Sequence, residues 1–451
     1  MEIAVIGSGI AGLSAGWLLS QRHRVTLYEA ASRAGGHSNT VEAGGVPVDT
    51  GFIVYNEATY PNLTALFAHL GVRTKASEMS FAVSLDHGAL EYAGTDLGGL
   101  FAQRANLLRP RFWSMLRDLR RFYRQAPLDA PTMSPSLSLG TYLDTQGYGE
   151  PFQQDHLLPM AAAIWSASAL SLRDYPAAQF IRFCDNHGLL KFTGRPVWRT
   201  VDGGSRMYVA RLLEPIADTR LGLAARSVRR TANHVVVRDA GGSEQRFDQV
   251  VLACHADQAL ALLDQPTQPE AELLGAFGYT ANRAVLHRDA GLMPRRRSVW
   301  ASWNYLGHRA DADRLNVTYW MNRLQGLTQA PPLFVTLNPA QEPEAGSVLH
   351  EEVYHHPQFN AAAMQAQQSL WSLQGRERTW FCGAYFGAGF HEDGLQSGLA
   401  VAEQLGDVRR PWMVANESGR ISVTSLDRVE PARPQPPEYC VLEAIPSRAS
   451  T

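Results

Sequence analysis

The sequence predicts an α/β protein that opens with a Rossmann-like βαβ unit. Glu2–Ile6 is a short apolar run with several β-branched residues, which is typical of a buried strand. The glycine-rich segment Gly7–Gly12 follows at once, and residues 13–20 favour a helix. A second strand is predicted at Arg24–Tyr28, directly before Glu29. Strand, glycine turn, helix and strand in this order form a nucleotide-binding unit.

The glycine segment has the spacing G-x-G-x-x-G. Gly7 permits a tight turn, Gly9 lets the backbone approach a pyrophosphate, and Gly12 lets the helix pack closely on the strand. The free N–H groups and the dipole of the helix N-terminus favour the phosphate charge. Glu29 stands at the distance of a ribose-binding acid. We therefore predict that a dinucleotide binds Glu29 and the segment Gly7-Ser8-Gly9-Ile10-Ala11-Gly12.

Length and composition exclude several other classes of protein. A chain of 451 residues is too long for one hydrophobic core, which predicts two domains. The net charge of −2 provides no basic field for nucleic acid. The four cysteines are too scattered for a disulfide framework or a zinc site. The sequence has neither a signal-peptide pattern nor an uncharged apolar run of ~18 residues, so we expect a cytoplasmic protein.

One histidine pair imitates a zinc-protease motif. His350 and His355 flank two glutamates, but they are five residues apart, whereas a zinc-binding helix needs a separation of four. We therefore predict no metal site and expect residues 355–357 to lie in a loop.

The order of predicted elements divides the chain into interwoven parts. Further elements are predicted as a helix at 61–71, a helix at 100–124, sheet at 227–238 and 249–253, a β-rich block at 284–337 and a helix at 395–405. The nucleotide-binding domain is predicted to comprise residues 1–75, 200–275 and 375–410. An α+β substrate domain takes residues 76–199 and 276–374. Residues 411–451 are rich in proline and predict an extended or disordered tail.

The stretch from 100 to 124 is strongly amphipathic. Apolar residues recur at helical spacing, and arginines lie between them. This pattern is compatible with a solvated helix face and with a peripheral contact to the inner face of a membrane.

Two segments after the βαβ unit carry a family resemblance. Glu29-Ala30-Ala31-Ser32-Arg33-Ala34-Gly35-Gly36-His37 and Val48-Asp49-Thr50-Gly51-Phe52 resemble motifs of the flavin amine oxidase and phytoene desaturase superfamily. The resemblance implies an amine-oxidase-like architecture with FAD as cofactor. It implies cofactor contacts for Ala30, Arg33, Gly36, His37, Thr50, Gly51 and Phe52. His37 stands where the superfamily usually has arginine.

Later segments extend the resemblance to residue 405. The strands around Val228 and Ala253 resemble those at the adenine and pyrophosphate of the cofactor. Phe381-Cys382-Gly383-Ala384-Tyr385 resembles the strand end beside the ribityl chain. Glu392-Asp393-Gly394-Leu395 resembles the start of a helix whose N–H groups face the flavin ring. The resemblance therefore implies that Gly383, Ala384, Asp393, Gly394 and Leu395 bind the cofactor.

The sequence departs from amine oxidases beside the flavin. The lysine of those enzymes is replaced here by Asn282 or Arg283, and His391 stands in place of a tyrosine of their aromatic cage. Oxidation of a small amine is therefore less favoured. The near-neutral pKa of a histidine would let His391 exchange a proton with a carbon skeleton. The alternative is that His391 only packs or hydrogen-bonds against the ring.

The substrate half is rich in aromatic residues. They form either core or a substrate tunnel, and they are Trp165, Trp198, Trp300, Trp303, Tyr305, Tyr319 and Trp320. The blocks at 300–305, 318–322 and 380–394 resemble a bacterial group of amine-oxidase-like flavoproteins associated with cyclopropane-fatty-acid-synthase-like methyltransferases. Members of that group are implicated in acyl-chain desaturation towards furan fatty acids. The resemblance implies a lipid or other apolar substrate and a functional partnership with a lipid methyltransferase.

The sequence thus predicts an FAD-dependent oxidoreductase that desaturates or isomerises an acyl chain by hydride transfer to the flavin. Three alternatives remain open at this point. They are a flavin amine oxidase, a carotenoid-type desaturase or isomerase, and a flavin-binding redox sensor without turnover.

Overall fold

The computed structural model of the protein describes residues 1–134, 136–165, 169–311 and 316–424. The predicted α/β fold with a Rossmann-like unit is confirmed. In chain order the strands are β1 (Glu2–Ile6), β2 (Arg24–Tyr28), β3 (Thr40–Ala43), β4 (Val46–Asp49), β5 (Tyr55–Asn56), β6 (Thr74–Ser77), β7 (Phe81–Leu85), β8 (Leu90–Ala93), β9 (Trp198–Val201), β10 (Asp218–Arg220), β11 (Ala225–Arg230), β12 (Val235–Asp239), β13 (Glu244–Phe247), β14 (Gln249–Leu252), β15 (Gly278–His287), β16 (Trp303–Gly307), β17 (Val317–Trp320), β18 (Phe334–Leu337), β19 (Val348–Gln358) and β20 (Thr379–Phe381).

The α-helices are interspersed with short 3₁₀ segments. They are α1 (Ile10–Leu19), α2 (Pro61–Leu70), α3 (Leu97–Leu100), α4 (Pro110–Asp129), α5 (Leu139–Thr145), α6 (Glu150–Phe152), α7 (Leu158–Trp165), α8 (Ala169–Arg173), α9 (Ala177–Asn186), α10 (Arg206–Leu213), α11 (Ala256–Leu262), α12 (Gln268–Leu274), α13 (Met321–Leu324), α14 (Ala361–Gln367) and α15 (His391–Gly406). A turn of π-helix at Gln153–Leu157 joins α6 to α7.

A parallel five-stranded sheet collects strands from distant parts of the chain. Its order is β10-β2-β1-β14-β20, and its central strands are continuous apolar runs, as expected of a sheet buried on both faces. The carboxyl ends of parallel strands share one edge. Residues 7, 29, 253 and 382, each of which follows a strand, therefore meet at that edge.

Helices α1 and α15 pack against each other with their backbones in close approach. A Cβ on Gly398 would lie 2.2 Å from the carbonyl oxygen of Ala11, and one on Gly394 would lie 2.9 Å from the side chain of Ile10. Glycine at both positions therefore allows the contact. As a result the N-terminus of α1 and that of α15 lie side by side, although 381 residues separate Ile10 from His391.

A mixed seven-stranded sheet has the order β19-β15-β18-β17-β16-β7-β8. Cross-strand pairs assign its residues to two faces, because side chains alternate along each strand. The inner face carries Asn282, Ala284, Leu286, Leu337, Val335, Tyr319, Trp303 and Phe81. The outer face carries Arg283, Val285, His287, Phe334, Thr336, Thr318, Trp320 and Asn304. Tyr354 pairs with Asn282 and bonds Thr50, so the inner face is directed towards the 50–52 segment.

The amphipathic stretch at 100–124 is not one helix, contrary to the prediction. Helix α3 ends at Leu100, a 3₁₀ turn spans Arg104–Leu108, and α4 begins at Pro110. Proline fits the first helical position, where no N–H donor is needed, but not the interior of a longer helix. The apolar residues of α4, among them Phe112 and Leu119, are buried in the protein.

The sheet predicted at 227–238 is confirmed as a hairpin of β11 and β12. Two other local predictions need correction. Residues 355–357 lie in β19 and not in a loop; β19 is an edge strand, where Pro357 costs no ladder hydrogen bond. The last helix begins at His391 and not at Leu395.

The first part of the predicted tail is folded against the protein. Trp412 stacks on Trp17 with ring centroids 5.9 Å apart, and Ile421 is buried. Residues 425–451 of the predicted tail lie outside the described residues. Within the described residues, no helix combines the length and apolarity needed to cross a membrane.

Candidate active site

The glycine segment after β1 has the geometry of a phosphate cradle. Gly7 has a φ of +104°, and a Cβ there would lie 2.7 Å from the carbonyl oxygen of Ala253. A Cβ on Gly12 would lie 1.9 Å from the carbonyl oxygen of Gly7. By contrast, a Cβ on Gly9 would have no neighbour within 4 Å. Gly7 and Gly12 therefore serve the fold, whereas Gly9 faces open space that a ligand can fill.

The start of α1 has no side-chain cap of its own. Gly9 is the N-cap residue, and Ile10 and Ala11 open the first turn without an acidic residue. Beside it, the Glu29 carboxylate accepts hydrogen bonds from the Ser8 N–H at 2.9 Å and the Ser8 hydroxyl at 2.5 Å. Uncapped N–H groups beside a fixed carboxylate suit a phosphate and a ribose hydroxyl, respectively.

The segment after Glu29 folds back onto the glycine turn. Ala30 is exposed, and Ala31 donates its N–H to the Glu29 carboxylate. Arg33 donates to the carbonyl oxygen of Gly36 at 2.8 Å and pairs with Glu352. A Cβ on Gly36, whose φ is +56°, would lie 3.1 Å from the Cα of Gly9. The predicted contacts at 7–12, 29–36 and 253 are thus brought together.

His37 and the 50–52 segment form the next layer. The N–H of Phe52 donates to the carbonyl oxygen of His37 at 2.7 Å, and a Cβ on Gly51 would lie 2.2 Å from the same oxygen. Thr50 Oγ1 lies 2.7 Å from the Tyr354 hydroxyl. Burial and the neighbouring His356 and His255 hold the pKa of His37 well below its usual value. The imidazole that replaces the usual arginine is therefore neutral at neutral pH.

His391 is the first residue of α15 and lies against this layer. Its ring stacks on Phe52 with centroids 3.8 Å apart and planes 9° apart. Its Nε2 lies 2.8 Å from the hydroxyl of Tyr208, which lies 2.6 Å from Ser38 Oγ. Burial lowers the pKa of His391 to about 3. The predicted near-neutral pKa is therefore wrong, because the prediction assumed solvent that the fold excludes.

Asp393 uses its side chain for the protein's own structure. Its carboxylate accepts the N–H of Phe390 at 2.8 Å and Arg420 Nε at 2.6 Å, so it closes the first turn of α15. Burial nevertheless raises the pKa of Asp393. Among the predicted contacts around it, Gly394 approaches Ala384, Leu395 is buried, and the N–H of Gly383 donates to Ser397 Oγ at 3.0 Å. The N–H of Asp393 donates to the carbonyl oxygen of Phe390 at 3.0 Å, so its backbone is also used within the first turn.

Glu392 caps a different helix from the one it lies in. Its buried carboxylate accepts the N–H groups of Asn62 and Leu63, each at 3.0 Å. These are the second and third residues of α2, and the N-cap residue Tyr60 supplies no side-chain bond. The acidic pair at the start of α15 therefore orders α2 and the C-terminal segment.

Asn282 and Arg283 lie on opposite faces of β15. Asn282 is buried on the inner face; its Nδ2 lies 2.9 Å from His356 Nδ1, and its Oδ1 accepts Asn338 Nδ2 at 2.7 Å. Arg283 lies on the outer face and pairs with Glu342 at 2.7 Å and Glu351 at 2.8 Å. Asn282 is thus directed towards the 50–52 segment, whereas the predicted catalytic position of Arg283 is not supported.

The aromatic residues of the substrate half divide between the two faces of the sheet. Trp303, Tyr305 and Tyr319 lie on the inner face, whereas Trp320 lies on the outer face and contacts Trp300. A second aromatic group lies at the start of α15. There Phe390 stacks on Phe183 at 4.6 Å, and Phe183 contacts Trp165 at 4.7 Å.

The remaining predicted site residue is Val228, and two residues of the site were not predicted. Val228 lies buried in β11, and its carbonyl oxygen accepts the N–H of Asp264, so no contact brings it to the glycine turn. No cluster of metal-binding side chains occurs among the residues that the structure describes. Sequence reasoning missed Tyr208 and Arg420, which lie in no motif and meet α15 only through the fold.

Comparison with known proteins identifies the family. A family model described as "Flavin containing amine oxidoreductase" matches residues 10–287, which is more than half of the chain. The chain belongs to this family. The family is one of flavin-dependent oxidoreductases, and in this chain the open cradle at Gly9, the uncapped α1 and the Glu29 carboxylate fit the phosphates and ribose of FAD.

Curated relatives and solved structures are similar at low identity. Coproporphyrinogen III oxidase of Mycobacterium tuberculosis is 24% identical over 294 residues, which cover 58% of this chain; the chain thus spans only 60% of that relative's length. A putrescine oxidase variant has a TM-score of 0.68 at 14% identity and covers 90% of this chain and 98% of its own. A CLA-producing fatty acid isomerase from P. acnes has a TM-score of 0.65 at 14% identity, with the same coverage. These structural likenesses establish a common fold.

Proposed function

We propose that this flavoprotein oxidises a C–H bond in the acyl chain of a fatty acid or phospholipid, and so desaturates or isomerises the chain. The observation that supports this proposal most directly is the orientation of two neighbouring residues of β15. Asn282 takes the place that lysine holds in amine oxidases, and its amide is bonded on both sides, to His356 and Asn338. Arg283, the neighbouring cation, is turned to the outer face and paired with two glutamates.

The lining of the inner face supports an apolar substrate. The side chains that follow Asn282 across the sheet are Ala284, Leu286, Leu337, Val335, Tyr319, Trp303 and Phe81. None of these side chains carries a charge. An acyl chain gains free energy from burial against such a surface. Glu352 of β19 lies on the same face, opposite Ala284, but it is already paired with Arg33, so an ammonium group would have to compete with that arginine for it.

His391 contributes as a neutral group. Because burial disfavours its imidazolium form, His391 does not store a proton at neutral pH. The hydrogen bonds from Nε2 to Tyr208 and from Tyr208 to Ser38 can each run in either direction. In the neutral ring, the tautomer protonated at Nδ1 accepts the Tyr208 hydroxyl proton at Nε2, and the tautomer protonated at Nε2 donates to Tyr208 and leaves Nδ1 free to accept. His391 Nδ1 can therefore act as donor or as transient acceptor. FAD, when bound, supplies the hydride acceptor at N5.

The comparisons with known proteins do not identify the substrate, and they suggest alternative substrates to be tested. One fold neighbour is a fatty acid isomerase, another is a putrescine oxidase, and a curated relative is a coproporphyrinogen oxidase. The low identity to each transfers no substrate. A partnership with a lipid methyltransferase, which the sequence resemblance implies, belongs to the same proposal, because such an enzyme modifies the same acyl chain.

Anaerobic reduction of the bound flavin tests the proposal. The holoprotein is mixed without oxygen with phospholipids bearing monounsaturated chains, and in parallel with amines, polyenes and coproporphyrinogen. We expect the visible absorbance of the flavin to bleach with the lipid alone. Mass spectrometry should then find a lipid that has lost two hydrogens or, where the flavin returns the hydride and its absorbance recovers, a lipid whose double bond has moved. Bleaching by an amine or by coproporphyrinogen, with none by lipid, would overturn the proposal.

A pair of neighbouring substitutions provides a control for the reading of β15. Asn282→Lys places a cation on the inner face, whereas Arg283→Lys leaves the cation on the outer face. The first variant should slow bleaching by lipid severely, and the second should retain it. Equal effects of the two variants would mean that the inner face does not receive the substrate.

A further inference from the structure

An exposed apolar surface lies where α3, the following 3₁₀ turn and the start of α4 meet. We name it the leucine tip, and it consists of Leu97, Leu107, Leu108 and Trp113. The exposed fractions are 88% for Leu108, 75% for Leu97, 49% for Trp113 and 48% for Leu107. Single exposed apolar residues need no explanation, but four close together on one surface do.

Contacts within the leucine tip join its members. The indole N–H of Trp113 donates to the carbonyl oxygen of Leu107 at 2.9 Å. The ring of Phe101 lies 5.8 Å from that of Trp113, and the N–H of Phe101 donates to the carbonyl oxygen of Leu97. These contacts hold the end of α3, the 3₁₀ turn and the start of α4 together, so the four exposed side chains lie on adjoining segments. Trp113 holds the turn that presents Leu107 and Leu108 to solvent.

Arginines continue this surface along α4. Residues 97–124 contain seven arginines, one aspartate and no other charged residue. The aspartate, Asp118, is buried. Trp113, Arg117, Arg120 and Arg124 follow one another at helical spacing and are exposed, so they share one face of α4. Within the described parts of the chain, no ion pair involves Arg120 or Arg124.

The orientation of α4 decides how this surface meets a partner. Its apolar face packs in the protein interior, so α4 does not lie in a membrane plane as a free amphipathic helix would. What it offers to solvent is its arginine face, and the leucine tip adjoins one end of that face. An apolar protrusion beside unpaired positive charge is complementary to a negatively charged lipid surface, because the leucines insert among acyl chains while the arginines contact phosphates.

We propose that the leucine tip and the arginine face of α4 dock the protein on an anionic phospholipid membrane, with Leu107 and Leu108 inserted below the headgroups. Docking would bring the enzyme to a lipid substrate, and this part of the inference rests on the proposed function. The docking itself is measured without turnover, so either idea can fail alone.

Vesicle flotation of the full-length holoprotein tests the docking. The vesicles are phosphatidylcholine alone, and phosphatidylcholine containing phosphatidylglycerol. We expect binding to the anionic vesicles only, with affinity that falls as salt is raised. Leu107→Ser with Leu108→Ser, and separately Arg120→Glu with Arg124→Glu, should each weaken binding about tenfold or more. The tryptophan fluorescence should shift to the blue on binding in the wild type, and this shift should be lost in Trp113→Phe.

Matched controls use exposed residues of the same types elsewhere. Leu349→Ser and Arg238→Glu alter exposed side chains on β19 and β12 and should bind like the wild type. FAD content and bleaching by a short-chain lipid below its micelle concentration should be unchanged in the docking variants. Absence of wild-type binding, equal binding to neutral vesicles, or full binding by both double variants would overturn the proposal. Wild-type binding to anionic vesicles without lipid-dependent bleaching would instead contradict the proposed function alone.

Discussion

The two helices that begin at the carboxyl edge of the five-stranded sheet do so in opposite ways. Helix α1 starts at a glycine, without a side-chain cap or an acidic residue in its first turn. Helix α15 starts with Glu392 and Asp393, both fully buried and both bonded to other parts of the chain. The two starts lie side by side because Gly394 and Gly398 let the helices touch.

This difference teaches which of two helix N-termini is left for a ligand. The N–H groups of α1 have no side-chain partner from the protein, so a phosphate can use them. At α15 the carboxylate of Asp393 already closes the first turn and is itself balanced by Arg420. An acidic helix start in a cofactor motif can therefore be a structural joint, even when the family pattern suggests a cofactor contact.

The largest effect is expected from a methyl group on Gly12. In Gly12→Ala the Cβ would lie 1.9 Å from the carbonyl oxygen of Gly7, so α1 would have to move away from the turn. We expect a loss of about 4 kcal/mol or more in the free energy of unfolding. Urea denaturation of the cofactor-free protein measures this loss. A stable Gly12→Ala protein that still binds FAD would break the assignment of Gly12 to packing.

The next effect is expected at the closed start of α15. Arg420→Gln removes the cation that faces the fully buried Asp393 and should cost about 3 kcal/mol of unfolding free energy. Arg409→Gln is the matched control, because Arg409 pairs with Glu403 and Glu417 but its side chain is 56% exposed. The control should cost less than about 1 kcal/mol. Equal losses would mean that residues beyond 406 do not hold the start of α15.

Gly9→Ala sharpens the comparison, because it should change FAD affinity without changing the stability of the cofactor-free protein. Gly9 has ordinary extended dihedral angles, and a Cβ there meets no protein atom within 4 Å. The cofactor-free variant should unfold like the wild type. The dissociation constant for FAD should rise about 100-fold, because the methyl group occupies the approach of the pyrophosphate. Fluorescence titration with FAD measures it, and a parallel loss of apo stability would contradict the open cradle.

The smallest expected effect is the contribution of His391 to the pH dependence of the free energy of unfolding. Its pKa is about 3 in the folded protein and about 6.5 when unfolded. The unfolded state therefore binds the extra proton below pH ~6.5, and stability falls as pH drops from there towards 3. Between pH 7.5 and 5, His391 should account for about 2 kcal/mol of that loss. His391→Asn should remove this share, and an unchanged pH profile would mean that the start of α15 is open to water.

The sequence predicted the cofactor half better than the substrate half. The contacts at Gly7, Gly9, Gly12 and Glu29 were predictable because local spacing alone specifies a strand, a turn and a helix start. The predicted pKa of His391 was wrong because burial by Phe52 and Tyr208 depends on tertiary packing.

Other parts of the site could not be predicted for related physical reasons. Asn282 and Arg283 are neighbours in sequence, and only the register of β15 against β19 tells which of them faces inward. Arg420 and Glu392 contribute ion-pair and cap interactions across more than 20 and 300 residues, respectively, and no periodicity marks such partners. The helix predicted at 100–124 was broken before Pro110, because its ring and missing N–H suit the first turn of α4 and disfavour a continuous helix through this position.

The C-terminal partners of α15 have a consequence for biosynthesis. During translation the glycine turn leaves the ribosome first, but β20, α15 and Arg420 emerge only after several hundred further residues. The cap that Glu392 supplies to α2 is equally late. A nascent chain therefore cannot finish this site until Arg420 has emerged. Until then the five-stranded sheet lacks its edge strand β20, so we expect its apolar strands to be prone to non-native contacts, and bound FAD to stabilise the completed fold.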